Sequence, residues 1–274
     1  MLSVSILDSF HYQILGPPTC PRLVFLHGLM GSAANWRKVT SSLQEHYHIL
    51  IYDQRGHGRS AHPNSGYRPE DYAEDLRAIL DELGWDQVYL VGHSMGGRNA
   101  MVFAATWPHR VKKLVLEDIG PDANEGAADR IEGLVNLVPT PFSSRKEAAA
   151  YMRGEFIQKI SKNPSARTLA EFFYSNLEEK NGAVNWRFSK AGVLASLKEG
   201  RARERWPQFQ SLQMPVLIIR GELSPDLPRP IFDRMLKTNP NAKGVEIKKS
   251  GHWVHFDQVD AFIKTLEDFL TSKD

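Results

Sequence analysis

The chain has 274 residues, 42% hydrophobic and 24% charged, with a formal net charge of +2; this suits one globular α/β domain with an insertion and gives no reason to expect a nucleic-acid partner. Its single cysteine, Cys20, excludes an intramolecular disulfide scaffold. Residues 1–8 hold neither a basic stretch nor a long apolar one, and no run of about 18 apolar residues occurs, so a cytoplasmic protein without leader or membrane span is expected.

In chain order, 22–27 reads as a buried strand ending at Gly28. A second strand over 47–53 runs into the turn Arg55-Gly56-His57-Gly58. The spacing of Tyr72, Leu76, Ile79, Leu80 and Leu83 predicts a helix over 69–83, with Gly84 as its stop. A third strand over 87–93 is followed by a small, apolar helix over 95–107 that ends at Pro108. Further strands are expected at 113–117 and 215–220, with a shorter, more polar outer strand at 245–248. The last helix, 257–270, carries Phe262, Leu266 and Phe269 on one stripe. Apolar strands alternating with helices imply a mostly parallel sheet covered on both faces.

The alternation stops between about 119 and 215, where no comparable strand signal is read. Charged, helix-prone stretches at 146–160, 167–179 and 190–205 predict a helical cap over the C-terminal edge of the sheet. The expected division is a core of 1–119 and 207–274 and a cap of 120–206, with 134–142, containing Pro139 and Pro141, as a mobile lid edge.

The strongest motif is Gly92-His93-Ser94-Met95-Gly96-Gly97, a G-x-S-x-G sequence between a strand and a helix. Such a turn perches the serine hydroxyl where it can attack an acyl carbonyl. A phosphate loop would need G-x-G-x-x-G or a following Gly-Lys-Ser/Thr, and neither is present. The oxyanion that forms on attack needs two preplaced donors. The Met95 N–H is one candidate, and the Leu29 N–H, in the loop His27-Gly28-Leu29-Met30-Gly31-Ser32, is the other. His27 is expected to order that loop or to line the pocket.

The hydroxyl also needs a base. His252, after Gly251 and between the last strand and last helix, is preferred to His255. Cys20 lies between Pro18 and Pro21 with no base nearby in sequence, and is not read as a nucleophile.

The strings 22–32, 52–60 (Tyr-Asp-Gln-Arg-Gly-His-Gly-Arg-Ser), 92–97 and 250–253 (Ser-Gly-His-Trp) resemble the α/β-hydrolase superfamily over most of the chain outside the cap. Leu-Glu-Asp-Ile-Gly-Pro at 116–121 and Asn-Trp-Arg-Phe-Ser at 185–189 resemble its small carboxylesterase and thioesterase branch. The resemblance implies the α/β-hydrolase fold and a catalytic triad whose acid usually lies in a G-x-x-D-x-x-x-P pattern. Here Gly221 and Pro228 fit, but Ser224 occupies the acid position and Asp226 comes two residues late. Asp118, at the tip of an earlier strand, is therefore expected to be the acid, with Ser224 completing the contact and Asp226 as the alternative. Glu117 should point the other way, because strand side chains alternate.

The expected function is hydrolysis of carboxylic esters or acyl thioesters through an acyl-enzyme, with a small-molecule substrate and no metal or organic cofactor. His93, Trp253, Trp186 and Phe188 are candidate pocket residues, with Arg187 facing an anionic leaving group such as coenzyme A; equally, the cap aromatics could simply pack the cap onto the core. Haloalkane dehalogenase and epoxide hydrolase chemistry need a carboxylate where Ser94 stands. A carbon–carbon bond hydrolase, a cofactor-free perhydrolase and a non-catalytic binding module stay open, as does the oligomeric state.

Overall fold

Strands β1 (Tyr12–Leu15), β2 (Arg22–Leu26), β3 (His48–Tyr52), β4 (Val88–His93), β5 (Val111–Glu117), β8 (Val216–Gly221) and β9 (Ala242–Ile247) form one sheet in the order β1-β3-β2-β4-β5-β8-β9. This comes from a computed structural model that describes residues 5–123, 126–163 and 166–272; residues 1–4 of the segment read for a leader lie outside it. Only β1 is antiparallel to its neighbour. Side chains alternate across the sheet: on β2, Val24 and Leu26 face one apolar cluster, and Leu23 and Phe25 face the other. The first cluster is closed by the helices Pro69–Glu82, Met95–Thr106, Trp206–Gln210 and Arg229–Thr238. The second is closed by Arg37–Leu43 and Val259–Thr271. The mostly parallel sheet covered on both faces is the one expected from the strand and helix alternation, and the protein has the α/β-hydrolase fold that the resemblance implies.

The chain winds outward from β2 to β3 and returns to β4 on the other side of β2. In open α/β sheets the crevice for a ligand lies beyond the carboxyl ends of the strands at such a reversal. Ser94 follows β4 at that point.

Between β5 and β8 lie the helices Gly126–Asn136, Arg145–Tyr151, Ala166–Ser175 and Lys190–Arg201, with their own apolar cluster that includes Phe156, Phe173 and Phe188. The segment also contains a hairpin, β6 (Leu177–Lys180) with β7 (Ala183–Trp186), which corrects the expectation of helix through 179. Asn181 and Gly182 take φ of 54° and 75°, the left-handed pair a two-residue hairpin turn requires. The 134–142 stretch is pinned at its end, because Phe142 and Val184 exchange backbone hydrogen bonds of 2.8 Å each. The edge strand β1 was not expected either; it is four residues long and only partly buried, so its apolar signal is weak.

Candidate active site

β4 is buried throughout and ends in a turn where Ser94 has φ 52° and ψ −116°. Such a conformation persists only when its surroundings enforce it. Part of that enforcement is close packing: a Cβ on Gly96 would stand 2.4 Å from the Leu26 carbonyl oxygen and 2.6 Å from that of His27. The start of the Met95–Thr106 helix thus lies directly on the end of β2. The first N–H groups of a helix have no intrahelical acceptor, which leaves the Met95 N–H without an acceptor in its own helix. The Leu29 N–H is likewise given to no acceptor among the described residues.

The Ser94 hydroxyl donates to His252 Nε2 at 2.9 Å. On the other side of the ring, His252 Nδ1–H donates to Asp118 Oδ2 at 2.7 Å. Asp118 is fully buried at the tip of β5, with φ 50°. Its Oδ1 accepts the Gly221 N–H at 3.0 Å, and its Oδ2 also accepts the Ser224 hydroxyl. Asp226 stands further off, its Oδ2 3.6 Å from His252 Nδ1, and its N–H donates to Ser224 Oγ at 3.1 Å. The loop bearing His252 closes onto β8 so tightly that a Cβ on Gly221 would fall 2.0 Å from the Gly251 oxygen. Burial lowers the His252 pKa, but the Asp226 charge and the hydrogen bond and charge of Asp118 outweigh it, holding the imidazole above its ordinary 6.5.

Glu117 does point to the opposite side. Both its oxygens face His255 Nδ1, at 2.8 and 2.9 Å, and the His255 ring stacks on Trp36 at 4.4 Å between centroids. His255 is thereby held away from Ser94. Burial pushes Glu117 up to about 7 and His255 down to about 3. His93 lines the cavity and donates from Nε2 to the His252 carbonyl at 2.9 Å, bracing the loop that carries the base. His93, Glu117 and His255 have donor atoms within 4.8 Å of one another, a possible cation-holding set; their hydrogen bonds to each other's neighbourhood already engage His255 Nδ1 and His93 Nε2.

A cavity of about 530 Å³ opens beside Ser94, lined by Leu29, Met95, His93, His252 and Trp253 among others. His27 does not reach it. It is buried, accepts the Gln54 N–H at Nε2 (2.9 Å) and touches the Gly28 carbonyl through Nδ1; burial lowers its pKa to about 4. Trp186, Arg187 and Phe188, expected at the pocket, are not among its lining residues. Trp186 stacks on Phe188 at 4.8 Å and meets Phe173 edge-on, so these rings fill the cap's own core. Arg187 lies 3.8 Å from Glu178 on the hairpin. Cys20 precedes β2, at the end of the sheet opposite Ser94, half-buried and free.

The sequence reading missed the clamp that holds the oxyanion loop. Gln54 donates from Nε2 to the His27 carbonyl at 2.7 Å and accepts from Asn99 Nδ2 at 2.9 Å, which ties the loop to the nucleophile helix. Asp53 accepts the Ala33 and Arg59 N–H groups at 2.7 and 2.9 Å. The available signal was Asn99, a polar residue that with Arg98 interrupts a helix of mostly small and apolar residues.

This fold, with a serine perched on its elbow within reach of a carboxylate-oriented imidazole, defines a class. Residues 21–259 match the alpha/beta hydrolase fold family, and the chain belongs to it. Among curated relatives it is similar to a putative esterase/lipase of Haemophilus influenzae, 29% identical over 98% of this chain and 90% of that one. Among solved structures it resembles E-2-(acetamidomethylene)succinate hydrolase, with TM-score 0.83 and 26% identity over 98% of both chains. It also resembles a marine microorganism esterase, with TM-score 0.80 and 28% identity over 95% of this chain and 99% of that one. No helix among the described residues is long and apolar enough to cross a membrane.

Proposed function

We propose that the protein is a serine hydrolase that cleaves small carboxylic esters, or acyl thioesters, through an acyl-enzyme on Ser94. The observation that carries this reading is the hydrogen-bonded relay Ser94 Oγ–His252–Asp118 at the mouth of a cavity. In the cycle, His252 takes the Ser94 proton as the oxygen attacks the acyl carbon. The N–H groups of Leu29 and Met95 receive the oxyanion, and the imidazolium, steadied by Asp118, protonates the departing alcohol or thiol. Water, deprotonated by the same histidine, then releases the acid and frees the serine. No step calls for a metal or organic cofactor. The esterase names among the relatives agree with this chemistry.

The test is covalent labelling with a fluorophosphonate, alongside turnover of 4-nitrophenyl esters of increasing acyl length and of acyl-coenzyme A thioesters. The wild type should label and turn over at least one of these, and Ser94→Ala should neither label nor turn over. A wild type that stays unlabelled would favour a non-catalytic binding module on the same fold.

A further inference from the structure

The cavity beside Ser94 has a largely apolar wall, yet among the described residues Arg98, Arg130, Lys162 and Arg201 line it against one acidic residue, Asp226. A buried cation is costly unless paired, and the protein observes this elsewhere. Arg55 is paired with Asp75, Arg205 with Glu70 and Arg220 with Glu246. The cavity arginines are different. Arg98 is only 3% exposed; its Nη2 donates to the carbonyls of Gly120 and Asp122, while Nε and Nη1 have no partner among the described residues. The Asp122 side chain stays outside hydrogen-bonding distance of it, one oxygen accepting from Trp206 Nε1. The side chain of Arg201, in the last turn of the Lys190–Arg201 helix, makes no hydrogen bond or ion pair with any described residue. Among the described residues Arg130 reaches only Asp226, at 3.7 Å. Burial, and then the charges of Arg201 and Arg205, bring Arg98 down to about 9. Burial likewise lowers Arg201, and Arg130 adds to the effect against the opposing charge of Asp226.

Arg98 is buried with donors unspent, and Arg201 and the rim residue Arg130 add positive charge to the same cavity, an arrangement that an anion would relieve. We propose that Arg98, Arg201 and Arg130 form a subsite for an anionic oxygen group of the substrate, a carboxylate or a phosphate, so that the ester attacked by Ser94 carries a negative charge a short chain away from its scissile carbonyl. The inference rests on Ser94 being the nucleophile. The Arg98 N–H bonds to the Ser94 carbonyl, one helical turn back, and residues so spaced lie about 5–6 Å apart at Cβ. Ser94, Arg98, Arg130 and Arg201 all line the one cavity, so an acyl chain held in it can present its carbonyl to Ser94 and its charge to the arginines. The apolar remainder of the wall receives the chain between them. The anion-facing role expected of Arg187 thus falls to residues of the nucleophile helix and the two flanking cap helices.

The experiment compares kcat/KM for two esters of equal chain length, 4-nitrophenyl hexanoate and the 4-nitrophenyl monoester of adipic acid. The anionic ester should be preferred by about tenfold or more, the scale of a charge-assisted contact. Arg201→Gln, and separately Arg130→Gln at the exposed rim, should bring the ratio of the two values towards one. Because the readout is a ratio, general damage to the site does not mimic the effect. A wild type that labels with fluorophosphonate yet prefers hexanoate, or variants that both keep the full ratio, would overturn this inference alone. A wild type that neither labels nor hydrolyses either ester would overturn the reading of Ser94 and this inference with it. Adipate and inorganic phosphate, tried as competitive inhibitors of hexanoate hydrolysis, identify the group: adipate alone assigns a carboxylate, phosphate assigns a phosphate, and inhibition by neither counts against the subsite.

Discussion

Two carboxylates face His252, and they do different work. Asp118 is held by two donors, the Gly221 N–H and the Ser224 hydroxyl, and takes the Nδ1 proton's hydrogen bond directly, whereas Asp226 acts through charge from 3.6 Å. Asp118→Asn removes the acceptor that sets the imidazole tautomer, so ester kcat should fall by about 10³–10⁴. Asp226→Asn leaves the relay intact and should cost far less. Equal, small losses from both would refute the assignment. Asp226 should show itself in the pH profile. The base must be neutral, and its pKa lies above 6.5, so activity is lost as pH falls through that raised value. Removing the Asp226 charge lowers the His252 pKa and moves the acid limb of kcat/KM to lower pH. An unmoved limb would show that Asp118 alone sets it. At this scale the sequence spoke clearly for Ser94 and His252, because a strand-turn-helix serine and a post-strand Gly-His are local patterns. Asp118 needed the chain order and the missing acid at position 224. Arg98 and Arg201 were silent, because an arginine on a helix reads as a solvated face until the tertiary fold buries it.

Among the elements, the elbow between β4 and the following helix is positioned by contact as much as by hydrogen bonding. Gly96→Ala would put a carbon 2.4 Å from a backbone oxygen of β2, and backbone cannot rotate aside as a side chain can. The helix must shift, carrying the Met95 N–H away from the Leu29 N–H. We expect kcat to fall about 10²-fold, in line with the cost of a displacement near 1 Å, while fluorophosphonate still labels Ser94, slowly. Full activity in Gly96→Ala would show that the hole tolerates such a shift. The strands of the sheet other than the edge strand β1 were legible from their apolar runs, to within a few residues at their ends. The cap hairpin was not, although Asn181-Gly182 is a strong local turn signal. Its flanks, Leu-Glu-Glu-Lys and Ala-Val-Asn-Trp, carry too little alternation to compete with the helical pattern of 166–175 that leads into them.

For the molecule as a whole, the two apolar clusters on either side of the sheet hold the scaffold independently of the chemistry. Phe262 is fully buried on the face away from the nucleophile helix, against Trp36 and the His255 ring. Phe262→Ala should therefore cost about 3–5 kcal/mol of stability, read as a lower urea midpoint with an unchanged slope. The folded fraction should keep its pH profile, and a shifted profile would mean that this face also sets the His252 geometry.

The chain leaves the sheet at Asp118, whose N–H bonds to the Ile219 carbonyl of β8, and re-enters at the other end of that same parallel strand, where the Leu114 N–H of β5 bonds to the Pro215 carbonyl. Both ends of the insertion are thus fastened to one pair of strands. Whole segments between them can be lengthened, shortened or exchanged by recombination while the reacting atoms stay in register. New preferences for acyl groups can arise there without rebuilding the machinery beneath.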